Sequence, residues 1–120
     1  IKGNESGGSG GENTGALSGV NTGKMTNSTI KNSDEVTGGK NTGGLIGKNT
    51  GDITYSSLIN EVGAKVTGTE NVGGLIGNNA DEKAINGKQG SLIAGYNTGV
   101  VTGSGENVGG IAGTNAGIID

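Results

Sequence analysis

The side chains that could do chemistry in this sequence are eleven carboxylates and eight lysines, with no histidine and no cysteine among 120 residues. That inventory removes the usual general base, the thiol nucleophile and most transition-metal ligands. Glycosidase-type chemistry would need two carboxyl groups facing one cleft. The adjacent acids are Asp34 with Glu35 and Asp81 with Glu82. Neighbouring side chains on an extended chain point to opposite faces, so each pair reads as a solvated turn. The Gly-rich stretches at 7–11 and 103–105 lack the Lys-(Ser/Thr) and following helix of a phosphate cradle. Tandem Gly-Gly-x-Gly-x-Asp units, which build calcium-binding β-rolls, are also missing. The chain is expected not to be an enzyme, with no catalytic residues, no cofactor and no metal site.

Charge excludes further classes. The net charge is −3, arginine is absent, and the aromatic residues are Tyr55 and Tyr96 alone. Nucleic-acid binding requires a basic stripe, commonly with stacking aromatics, so no such partner is expected. Apolar runs stop at two or three residues, far short of a bilayer span, so no membrane insertion is expected. Lysines such as Lys24, Lys40, Lys48, Lys65 and Lys88 stand singly near turns, where they protect sheet edges.

What must position these side chains is a repeat. The segment Asn-(Thr/Val)-Gly-(Ala/Gly)-(Leu/Ile)-x-Gly begins at Asn13, Asn41, Asn71 and Asn107, at intervals of 28, 30 and 36 residues. A second Asn-x-Gly element follows eight residues later at Asn21, Asn49 and Asn115. Val-Thr-Gly recurs at Val36, Val66 and Val101, after a Ser-containing apolar patch at 28–30, 56–59 and 91–93. One array results, with repeats near 13–40, 41–70 and 71–106 and a partial copy at 107–120.

Composition alone, with 29 Gly and 28% hydrophobic residues, would suit a disordered chain. Regular spacing of the few apolar residues argues for order. Gly every few residues disfavours helix by ~1 kcal/mol each, while Asn and Gly tolerate the left-handed corners between short strands. The expected fold is all-β: a right-handed parallel β-helix, or β-solenoid, of about four coils. Leu17, Leu45, Leu75 and Ile111 are expected to form one inner ladder, and Met25, Ile53 and Ile119 another. Alternation then turns Ser18, Ile46, Ile76 and Ala112 outward or into a groove. Asn13, Asn41, Asn71 and Asn107 should stack at one corner, their amides hydrogen-bonded between coils ~4.8 Å apart.

The cores Gly44-Leu45-Ile46-Gly47, Gly74-Leu75-Ile76-Gly77 and Gly110-Ile111-Ala112-Gly113, together with residues 96–103, resemble the GLUG motif. The first copy departs from it, with Ala16 for the leading glycine. The resemblance covers about residues 13–120. GLUG repeats occur in bacterial surface adhesins and in non-catalytic parts of immunoglobulin A1 metallopeptidases. It therefore implies a secreted or cell-surface location, a β-helical array and no catalytic residues.

The leading expectation is a structural or adhesive segment, assembling end to end into a fibre. Its alternative is a recognition module for a glycan or host surface protein. Ile1 is not an initiator Met and no signal peptide is visible, so processing or excision from a longer chain is expected. Ile1-Lys2-Gly3 resembles the closing Val-Thr-Gly element, whereas the last residues open a new coil. Ice binding would need regular Thr-x-Thr, which only Thr67-Gly-Thr69 provides. The third repeat is the longest, its excess falling around 80–90. An extruded loop there makes Asp81, Glu82, Lys83, Lys88 and Gln89 the candidate contact residues.

Overall fold

The computed structural model describes residues 11–80, 91–92 and 95–119. Corners rich in Asn, Gly and Ser interrupt the chain so often that its strands hold only two to four residues. The first coil carries β1 (Ser18–Asn21), β2 (Lys24–Thr26), β3 (Thr29–Asn32) and β4 (Glu35–Thr37). The second carries β5 (Thr42–Gly43), β6 (Ile46–Asn49), β7 (Asp52–Thr54), β8 (Ser57–Asn60) and β9 (Lys65–Gly68). The third carries β10 (Val72–Gly73), β11 (Ile76–Asn79), β12 (Ser91–Leu92), β13 (Gly95–Asn97) and β14 (Val100–Gly103). In the fourth lie β15 (Val108–Gly109), β16 (Ala112–Asn115) and β17 (Ile118–Ile119).

Strands pair with their equivalents in the next coil, never with their neighbours in sequence. The sheets are β1-β6-β11-β16, β5-β10-β15, β2-β7, β12-β17, β3-β8-β13 and β4-β9-β14. Every pairing is parallel; along one sheet Val20 faces Lys48, Lys48 faces Asn78 and Asn78 faces Thr114. These steps equal the intervals between motifs, so one motif makes one coil. The chain is an all-β parallel β-solenoid of about four coils.

Unequal repeats are reconciled at corners. Two residues separate Asn32 from Glu35, but four separate the equivalent Asn60 and Lys65. The surplus forms a turn at Val62 and Gly63, closed by the Ala64 N–H on the Glu61 carbonyl at 3.0 Å, with Gly63 at φ 97°. Eight residues separate Asn49 from Leu58, but fifteen separate their third-coil counterparts Asn79 and Gly95. One more residue is absorbed between Gly103 and Asn107.

The core is a thin aliphatic column. Leu45, Ile46, Ile53, Leu58, Leu75 and Ile76 form it, with Met25, Ile30 and Ile111 partly buried against it. Each fully buried Leu or Ile contributes roughly 1.5–3 kcal/mol. Ile46 and Ile76 are fully buried, which corrects the outward placement expected from alternation. The chain bends at Gly44 and Leu45, and the strand starts only at Ile46. That bend resets the alternation, so consecutive side chains both turn inward.

The ladder of Leu17, Leu45, Leu75 and Ile111 is inward only in its middle. Leu45 and Leu75 lie between coils, whereas Leu17 is 45% exposed and Ile111 half-buried. In the second apolar ladder Met25 pairs with Ile53, which is fully buried, but Ile119 is 40% exposed. Ile119 pairs in register with Leu92. Residues 91–92 therefore continue the second element, and the Ser-containing patch is continued by Gly95, Tyr96 and Asn97. The surplus residues before β12 displaced that assignment.

The motif's closing glycines have a spatial cause. A Cβ on Gly47, Gly77 or Gly113 would fall on the backbone of Asn13–Thr14, Asn41–Thr42 or Asn71–Val72 in the preceding coil. Only glycine admits that approach.

Candidate functional site

The feature that repeats with chemical content is a set of carboxamide columns inside the corners. At the first corner Asn41 Nδ2 donates to Asn13 Oδ1 at 2.8 Å, Asn71 to Asn41 at 2.7 Å and Asn107 to Asn71 at 2.9 Å. All four residues adopt left-handed backbone, with φ between 52° and 61°. Asn is the non-glycine residue best suited to that region. One side chain thus serves both the corner geometry and the bond between coils.

Two further columns lie at other corners. Asn21 donates to Asn49 at 2.7 Å, Asn49 to Asn79 at 2.9 Å and Asn79 to Asn115 at 2.7 Å. Asn32 donates to Asn60 and Asn60 to Asn97, each at 2.9 Å. The donor direction differs: the first column points toward the earlier coil, the other two toward the later one. Several members of these two columns also close the local turn, as from Asn32 to the Asp34 carbonyl at 3.0 Å and from Asn49 to the Gly51 carbonyl at 3.1 Å. In sequence Asn21, Asn49 and Asn115 stand out only as turn residues. Their intervals, through Asn79, match those of the first column and could have revealed them.

These columns make a polar interior tolerable. Asn49, Asn60, Asn79 and Thr42 are fully buried, and an unpaired buried amide costs about 1–3 kcal/mol. Among the described residues no buried side-chain nitrogen or oxygen lacks a partner. Thr42 Oγ1, for example, donates to the Gly39 carbonyl at 2.8 Å.

Outer charges add pairings between coils one and two. Lys31 meets Glu61 at 3.3 Å and Lys40 meets Glu70 at 3.2 Å. In register, Lys24 stands beside Asp52 and Glu35 beside Lys65. Exposed pairs of this kind contribute about 0.2–1 kcal/mol. Lys40→Ala is accordingly expected to lower stability by about that amount in urea unfolding, and 1 M salt should shrink the difference.

The contact residues expected in the third repeat, Asp81, Glu82, Lys83, Lys88 and Gln89, lie outside the described residues. Among the described residues, no three of His, Cys, Asp or Glu gather where they could hold a metal ion. The class defined by this geometry is a parallel β-solenoid with internal asparagine ladders. A scan against protein-family models, a search of curated proteins and a search of solved structures find no match to the chain.

Proposed function

We propose that this chain is a non-catalytic structural and adhesive segment of a bacterial secreted or cell-surface protein, its coils extending end to end. The observation that carries this reading is the sameness of the coil-to-coil surface. Carboxamide bonds and parallel strand pairings join each coil to the next. A surface of that kind accepts any equivalent coil, whether supplied by the same chain or by another copy. The GLUG-like cores at 44–47, 74–77 and 110–113 support the surface location.

Two measurements test the reading. Light scattering after size exclusion, with negative-stain microscopy, should reveal assemblies that lengthen at constant width as concentration rises. A strictly monomeric, non-fibrous species at high concentration would remove end-to-end assembly. Antibody against the chain should label intact producing cells or their medium. Signal appearing only after lysis would remove the surface location.

A further inference from the structure

The two aromatic side chains of the sequence, Tyr55 and Tyr96, stand on the outside, 80% and 61% exposed. The core is built of smaller aliphatic groups, although a tyrosine ring would bury more area than any of them. Tyr55 carries a second anomaly. Six described non-glycine residues have left-handed backbone; five are Asn and the sixth is Tyr55, at φ 50°. In the preceding coil the equivalent position is Asn27, at φ 52°. A bulky residue held there is strained, and such outliers concentrate where binding requires them. The corner requires the left-handed backbone, as at Asn27, but tyrosine is not the residue that suits it, and its exposed ring adds nothing to the core.

Both tyrosines border one face. Tyr55 is the corner leading into β8, while Tyr96 on β13 sits in register with Ile59 of β8. Alternation in β8 buries Leu58 and Asn60 and leaves Ser57 and Ile59 half-exposed between the tyrosines. Thr29 stands beside Ser57 and Lys31 beside Ile59 in the coil before. Four residues of chain, from the Tyr55 corner into β8, and one coil across place the two tyrosine Cα atoms no more than roughly 14 Å apart. Lys31 and Glu61, the charges on this face, are tied to each other at 3.3 Å. The strip carries hydroxyls and apolar carbons, and its charges are paired.

We infer that this face binds a neutral polysaccharide chain, with separate pyranose rings stacked on Tyr55 and Tyr96. The apolar C–H face of a pyranose matches a phenol ring, and its hydroxyls match Ser57 and Thr29. The tyrosine separation spans several sugar units, so an oligosaccharide and not a single sugar engages both. Neutrality of the strip selects against acidic glycans, which a face without surplus positive charge does not attract. The inference rests on the reading of the solenoid as a displayed scaffold and names what it displays.

The test is calorimetric titration of the chain with cellohexaose and chitohexaose, against an oligogalacturonate of equal length as the acidic comparison. At least one neutral hexasaccharide should bind, with the acidic one about tenfold weaker or worse. Tyr96→Ala and Tyr55→Asn should each weaken binding about tenfold, while Tyr96→Phe retains it. Tyr55→Asn should also raise the melting temperature by about 2–5 °C, because Asn suits the left-handed corner. Absence of neutral-sugar binding by the folded protein, preference for the acidic oligomer, or unaltered binding in Tyr55→Asn would each overturn the inference. Failure of the scaffold reading would appear separately, as label confined to lysed cells or a persistent monomer with sugar binding intact.

Discussion

Asn49→Leu is expected to abolish the cooperative unfolding transition of this chain, even though it exchanges side chains of similar size. Asn49 is fully buried. Its amide donates to Asn79 Oδ1 and the Gly51 carbonyl, and its oxygen accepts from Asn21 Nδ2. Leucine would strand three groups, two in the interior and the Asn21 amide at its half-buried rim. At about 1–3 kcal/mol for each stranded group, the loss is roughly 3–9 kcal/mol. A small domain is stable by only about 5–15 kcal/mol, and a core without aromatic side chains belongs near the lower end. Far-UV circular dichroism against urea should show the midpoint collapsing toward zero denaturant. Asn115→Leu at the outer rung is the comparison. It breaks one bond between coils, from Asn79, and one to the Gly117 carbonyl, both outside the deepest interior. Its loss should stay near 1–2 kcal/mol.

Gly74→Ala is expected to cost about 3 kcal/mol, at the upper end of overpacking effects, whereas Gly110→Ala should be neutral or slightly stabilising. The two glycines hold the same place in the motif. A Cβ on Gly74 would meet the Gly110 carbonyl oxygen and the Asn97 carboxamide, and the backbone oxygen cannot swing aside. A Cβ on Gly110 meets nothing within 4 Å. Coil one already carries this substitution, as Ala16. There the corner lacks a bond that the later coils make. Gly44 N–H reaches the Gly73 carbonyl and Gly74 N–H the Gly109 carbonyl, each at 3.2 Å. No such bond joins Ala16 to Gly43 among the described residues. Urea midpoints of the two variants, with m values checked for constancy, decide the comparison. Equal effects at both sites would contradict the stacking order described above.

How far the sequence reached depended on whether a property recurs once in every coil. The step of one coil was legible because Asn13, Asn41, Asn71 and Asn107 mark it, and a left-handed corner favours that residue for a local reason. Alternation could not say that both Leu45 and Ile46 turn inward, because a corner bends the chain between them. The assignment of 91–93 failed for a related reason. Surplus residues before β12 broke the count, and small apolar side chains look alike in either element. The strain at Tyr55 was also invisible, since backbone conformation there is set by the corner and not by tyrosine's own preference. Only its equivalence to Asn27 hints at it. Function was least legible, because the side chains that repeat are those that hold coils together.

The central claim is that coils stack in parallel register, locked by asparagine carboxamides. Nuclear magnetic resonance of the side-chain amides tests it most directly. The Asn49 carboxamide should exchange with solvent far more slowly than a free asparagine and show cross-relaxation to the carboxamides of Asn21 and Asn79. An Asn49 amide exchanging at the free rate, with no contact to either neighbour, would contradict the account.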